Sequence, residues 1–283
     1  MIYLSTGYFQ KYNFNSMINL FKKNKINNIE FSGGKYDKNI KKKLTKLSKK
    51  KYSFIFHNYF PVPKKPFIIN LSSSNAKIQK RSINHFKKMI RLAQHYKIKN
   101  ISIHAGFLIN FNKNSFKILS KKDYQFINKK FAEKKFLDSL LELSKYSKSK
   151  NISILVENNV ITKNNFLLFK KNPFLFTDSK NIVKFLKKTP SNVGLLMDTG
   201  HFKVSCKTLG LNINKEYAKV YKFIKGYHLS DNNGIIDSNN SFNEKAWWFK
   251  KFKKNLDYYS IEVYSNDFKI LKKQISLVNK FIN

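Results

Sequence analysis

The sequence holds a single cysteine, Cys206, which excludes an intramolecular disulfide and points to a reducing compartment. It contains no run near the roughly 18 uninterrupted apolar residues that a membrane span requires. Met1 leads straight into IYLSTGYF, without the basic region and apolar stretch of a secretory signal, so the expected location is the cytoplasm. Arginine is scarce as well: among 56 Lys and Arg residues, only Arg81 and Arg91 are arginine. A dedicated reader of nucleic acid or phosphate is expected to use the planar arginine fork for bidentate contacts. The formal net charge of +40 therefore reads chiefly as AT-rich codon usage, because the lysines are spread over the whole chain among abundant Asn, Ile and Phe. Whatever its origin, such a field favours anionic substrates entering a cleft. No Pro- or Ser-rich linker and no shift in composition marks a boundary, so residues 1–283 are expected to form one domain.

What the chain does have is alternation and enough apolar residues, 42% of the total, to bury a sizeable core. Short apolar runs recur at residues 2–7, 28–34, 52–60, 100–107, 152–159, 193–201, 224–232 and 258–264. Each is too short for a typical helix, rich in Ile, Val, Phe and Tyr, and closed by Gly, Asn or Asp, as buried strands are. Residues 82–96 and 133–147 carry apolar positions three and four apart and read as amphipathic helices, and 267–282 supplies a helix after the eighth strand. Eight strand-helix units predict an α/β fold, a single (β/α)8 TIM barrel. An open doubly wound sheet would more often carry a Gly-rich phosphate turn after its first strand, and STGYF is not one. Insertions at 61–75, 108–127 and 160–178 follow strands three, four and five, where they would cover the catalytic rim.

With only 16 acids and 6 histidines, the positions of the ionisable groups carry information. Reading each strand toward its carboxyl end gives Glu30, His57, His104, Glu157, Asp198 with His201, His228 with Asp231, and Glu262. Barrel active sites form at that face from several strand ends. Taken singly, His57 and His104 read equally well as hydrogen-bonded structural residues. Glu157 after ISILV and Glu262 within YYSIEVY are harder to place that way, since buried carboxylates are rare unless paired or metal-bound. Two glutamates, an aspartate and a histidine on one rim repel one another unless a cation neutralises them. One divalent ion held by Glu157, Asp198, His228 and Glu262 meets that need, and the mixed oxygen and nitrogen set suits Mn, Co, Mg or Zn. His85 and His95 fall inside a helical segment and read as packing or surface residues, and Asp237 lies beyond strand seven within reach of the rim.

The ordered set HNYF, IHAGF, VENN, MDTGH, HLSDNNG and IEVY resembles the xylose isomerase-like barrel superfamily, which includes sugar and sugar-phosphate isomerases, ketose epimerases and endonuclease IV. The resemblance to the ketose epimerases implies one metal on Glu157, Asp198, His228 and Glu262. It also implies acid and base roles for Glu157 and Glu262 in a proton transfer through a metal-stabilised enediolate. His57, His104 and His201 become substrate contacts, and the partner is a sugar or sugar phosphate, with a homo-oligomer compatible. The epimerases usually place a second Glu after the strand-five ligand and an Arg after the strand-seven His, whereas residues 158–163 here read NNVITK and no arginine follows His228. The substrate contacts are therefore expected to differ. Resemblance to endonuclease IV instead assigns His57 and His104 to a zinc cluster for abasic-site cleavage, but its third site needs a histidine where Asn239 stands. A non-catalytic barrel binding polyanions through its lysines is the remaining alternative.

Overall fold

Strand sequence and turn chemistry together set the architecture of the computed structural model, which describes residues 1–112 and 123–282. In chain order the elements are β1 (Ile2–Ser5), α1 (Phe14–Lys23), β2 (Asn28–Phe31), α2 (Ile40–Ser48), β3 (Ser53–His57), α3 (Ala76–His95) and β4 (Asn100–His104). A short hairpin, β5 (Ile109–Phe111) and β6 (Tyr124–Phe126), precedes α4 (Lys129–Lys148), β7 (Ser153–Glu157), α5 (Lys163–Phe169) and α6 (Ser179–Leu186). Then come β8 (Val193–Asp198), α7 (Thr199–Thr208), α8 (Ile213–Val220), β9 (Ile224–Leu229), β10 (Tyr259–Ile261) and α9 (Phe268–Ile282).

The strands β1, β2, β3, β4, β7, β8, β9 and β10 close into a barrel in which every neighbouring pair is parallel, as the alternation predicts for a (β/α)8 barrel. Burial follows from this closure, since each strand has side chains facing both the barrel interior and the helical layer. β8 is buried along its whole length. The helices keep one apolar face inward; α3 buries Ser82, His85, Phe86, Met89, Ile90 and Ala93, a repeat of three and four. Asn13, Asn75, Asn128, Asp178, Asp198 and Asn212 each accept a backbone N–H at a helix start, contributing about 1 kcal/mol apiece. Asparagine abundance thus has a structural use.

Two expectations need adjustment. The insertion at 108–127 contains the β5–β6 hairpin, while its residues 113–122 lie outside the described residues. The seventh strand-helix unit lacks its helix, because residues 230–258 connect β9 to β10 through turns. Asn232, Asn233 and Asn243 each accept a hydrogen bond from a backbone N–H two residues on, a local pairing that competes with helix formation. Buried Trp248, Phe249 and Phe252 take the place of a helical apolar face, and the Trp248 indole donates to the Ser230 carbonyl at 3.1 Å. Among the described residues no helix is long and apolar enough to cross a membrane.

Candidate metal centre

The strand register assembles the site. His104 on β4 is the cross-strand partner of Glu157 on β7, and Asp198 on β8 is the partner of His228 on β9. The second pairing depends on a bulge: Leu195 faces Ile224 but Leu196 faces Gly226, so Lys225 is an extra residue on β9. Without it the register would slip by one and His228 would leave the face it shares with Asp198.

Four predicted ligands converge. His228 Nδ1 lies 2.8 Å from Glu262 Oε2, 3.5 Å from Glu157 Oε1 and 3.9 Å from Asp198 Oδ2. One ligand atom from each of the four falls within 4.8 Å of all the others. Glu157 Oε2, Asp198 Oδ2 and His228 Nδ1 are buried without a hydrogen-bond partner. Leaving such an atom unsatisfied costs about 1–3 kcal/mol, more when it is charged, and a cation among the four residues would satisfy Asp198 Oδ2 and His228 Nδ1. The residues therefore fit a divalent ion. Electrostatics agree: burial, with the Glu157, Asp237 and Glu262 carboxylates nearby, pushes Asp198 up to about 8 against the pull of His201. Burial also opposes ionisation of Glu157, but His104 and His228 outweigh it and hold that carboxyl well below its usual range. Like charges this close cannot all persist without a counterion.

His57 and His104 do not stand apart as substrate contacts alone. Their Nε2 atoms lie 3.3 and 3.6 Å from Glu157 Oε2 and 3.2 Å from each other, so the three residues form a second ligand-like cluster sharing Glu157. Burial pushes His57 down to about 3 and keeps its ring neutral, as a ligand must be. His201 Nδ1 donates to the Asn158 carbonyl at 2.8 Å, which turns Nε2 toward Asp237 Oδ2 at 3.1 Å. Asp237 thus does reach the rim, whereas Asn239 is held by Ser230 and Asp231 pairs with Lys203 at 2.6 Å. His85 is buried packing and His95 is exposed.

Strand ends reveal Glu30 and Asp198 but not the contacts they make, and they do not reveal Asn158. Asn158 accepts from the Asp198 N–H at 2.8 Å and donates to the Asp198 carbonyl at 3.0 Å, fixing the backbone of that candidate ligand. Asp198 itself caps α7 with Oδ1, which accepts from the His201 N–H at 2.7 Å and leaves Oδ2 for the cluster. Glu30, fully buried, accepts from His228 Nε2 at 2.9 Å, a carboxylate anchor for a candidate ligand. The consecutive polar residues of VENN, buried in an apolar setting, were the available signal for Asn158. A cavity of about 430 Å³ opens above the cluster, walled by Gln10, Ser32, Tyr59, Phe67 and Tyr264. Gly7 lets it close on Glu262, since a Cβ there would stand 2.9 Å from Glu262 Oε1.

A model of the xylose isomerase-like TIM barrel family matches residues 16–262. No curated protein matches the chain in sequence. Among solved structures, a D-tagatose 3-epimerase-like protein superposes with a TM-score of 0.70 at 16% identity, over 100% of this chain and 99% of its own. D-psicose 3-epimerase from Clostridium cellulolyticum H10, solved with D-tagatose, gives 0.68 at 12%, over 100% and 99%. A Thermus thermophilus protein soaked with zinc chloride gives 0.61 at 12%, over 99% and 98%. At such identities the likeness is one of fold.

Proposed function

Because the chain belongs to the xylose isomerase-like TIM barrel family, we propose that it is a divalent-metal-dependent isomerase or epimerase of a small sugar. The observation that carries this reading is the convergence of Glu157, Asp198, His228 and Glu262 with three buried atoms unsatisfied. A divalent ion held by those four residues supplies a Lewis acid for a carbonyl and its neighbouring hydroxyl. Glu157 and Glu262 enter from separate strands and both border the cavity, so one removes a proton from the carbon beside the carbonyl and the other returns it. His201, held by Asn158 and Asp237, orients a hydroxyl. Tyr59 and Phe67 restrict water above the reacting carbon. The epimerase names of two structural neighbours fit this chemistry.

The cavity wall favours a free sugar over a sugar phosphate. Lys and Arg make up 56 of the 283 residues, yet neither lines the cavity among the described residues. A phosphate there would meet no Lys or Arg among the described residues, and the bidentate arginine contact that phosphates favour is missing from that wall. The test is a panel of free ketoses in deuterated water, followed by NMR. We expect deuterium to enter the substrate with the wild type, and Glu157→Gln and Glu262→Gln each to slow that exchange by at least about a hundredfold. Full exchange with full metal content in both variants would remove the two-glutamate mechanism.

A second reading, cleavage at abasic sites in the manner of endonuclease IV, draws support from one observation, the His57–His104–Glu157 cluster. Two or three zinc ions per chain together with nicking of an abasic duplex would favour it over the sugar reading.

A further inference from the structure

Beneath the candidate metal centre, inside the barrel, four hydrogen bonds run without a break. His228 Nε2 meets Glu30 Oε2 at 2.9 Å, and the Tyr258 hydroxyl donates to the same oxygen at 2.6 Å. Ser102 Oγ lies 2.6 Å from the Tyr258 hydroxyl, and His57 Nδ1 lies 2.9 Å from Ser102 Oγ. Glu30, Ser102, His228 and Tyr258 are fully buried, and His57 is 4% exposed. Buried from bulk solvent, these groups have one another as partners, and the proton order along the chain follows from the valence of each one.

The order can be worked out from one end. Tyr258 has one hydroxyl proton and donates it to Glu30. Toward Ser102 it has only lone pairs, so Ser102 must donate its single proton to Tyr258. Ser102 then has only lone pairs for His57, and His57 must carry its proton on Nδ1. The lone pair of the neutral His57 ring is thereby left on Nε2, the atom 3.3 Å from Glu157 Oε2 and 3.2 Å from His104 Nε2. At the other end, Glu30 accepts from His228 Nε2 and so turns Nδ1 toward Glu157, Asp198 and Glu262.

We infer that Glu30, Tyr258 and Ser102 are positioning residues that fix the tautomer of His57 and the ring orientation of His228 from a single buried carboxylate and so tie the two halves of the centre together. The inference rests on the metal reading above for its consequence, but the His57 tautomer belongs to the metal-free protein. Tyr258 is the link, because removing its hydroxyl frees Ser102 to donate to His57 and releases the His57 tautomer while His228 keeps Glu30. The nearly isosteric Tyr258→Phe makes that cut, and Ser102→Ala makes it again from the other side should the first variant fold poorly.

The experiment is nitrogen-15 NMR of histidine-labelled, metal-free protein, paired with cobalt titration of the same samples. We expect His57 as the Nδ1–H tautomer in the wild type, and a shift toward Nε2–H in both variants with His228 unchanged. We expect cobalt binding at the His57–His104–Glu157 cluster to weaken by roughly ten- to a hundredfold in the variants, with the four-ligand cluster little affected. His57 as Nε2–H in the wild type, or the same tautomer in all three proteins, would overturn the inference. Because the NMR arm needs no metal and no substrate, it decides the tautomer claim even where the proposed activity fails.

Discussion

His85 lies 7% exposed beneath the loop from β3 to α3, with Nε2 3.0 Å from the Asn58 carbonyl and its ring against Tyr59 and Phe67. Burial, helped by Lys88 and Arg81, pushes the imidazole down from 6.5 to about 4 although the Asn58 bond pulls the other way. The unfolded chain therefore binds a proton between pH 6.5 and 4 that the folded one refuses, and stability falls as pH falls through that window. His85→Gln keeps an N–H for Asn58 and does not titrate. Chemical denaturation at pH 7 and pH 4 should show the wild type losing up to about 3 kcal/mol more than His85→Gln. Equal losses would mean that His85 protonates freely in the fold. At this scale the sequence was partly legible. Glu157, Asp198, His228 and Glu262 stand at strand ends after apolar runs, and they do converge. The pairing of Glu30 with Tyr258 was not legible, because it joins positions 228 apart through a closed barrel and no local pattern records it.

The elements convert that list into a centre through close approaches. The turn after β1 brings Gly7 so near Glu262 that even one added carbon must move the carboxylate. Gly7→Ala meets only the end of a flexible side chain, so unfolding free energy should change by no more than about 1 kcal/mol while divalent-ion affinity drops roughly tenfold. Isothermal titration with manganese and a melting curve check both halves. Unchanged affinity would show that Glu262 does not need its present position. Strand positions were readable from the apolar runs, and helices from their threefold and fourfold spacing, since burial on a barrel enforces both periods. The bulge at Lys225 was not, because Ile224 and Gly226 allow either register until Leu195 and Leu196 are paired with them. The absent seventh helix escaped for a similar reason: Trp248, Phe249 and Phe252 look like a helical apolar face, and only the Asn232, Asn233 and Asn243 turns decide against it.

For the whole molecule, the contrast is between a chain of net charge +40 and a centre built from carboxylates and imidazoles. The lysines stay off the cavity wall among the described residues, so the field they make reaches the centre from a distance and is screened by salt. Local chemistry at the strand ends, and Glu157 most of all, then sets what binds there. Glu157 is the one residue shared by both clusters, facing His201 and His228 with Oε1 and His57 and His104 with Oε2. The most direct measurement is the divalent-metal content of wild type and Glu157→Gln after equilibrium dialysis against manganese or zinc, with circular dichroism to confirm folding. Wild type should hold at least one ion tightly per chain, and the folded variant should lose it. A folded wild type that retains no ion, or a variant that retains the full complement, would contradict this expectation.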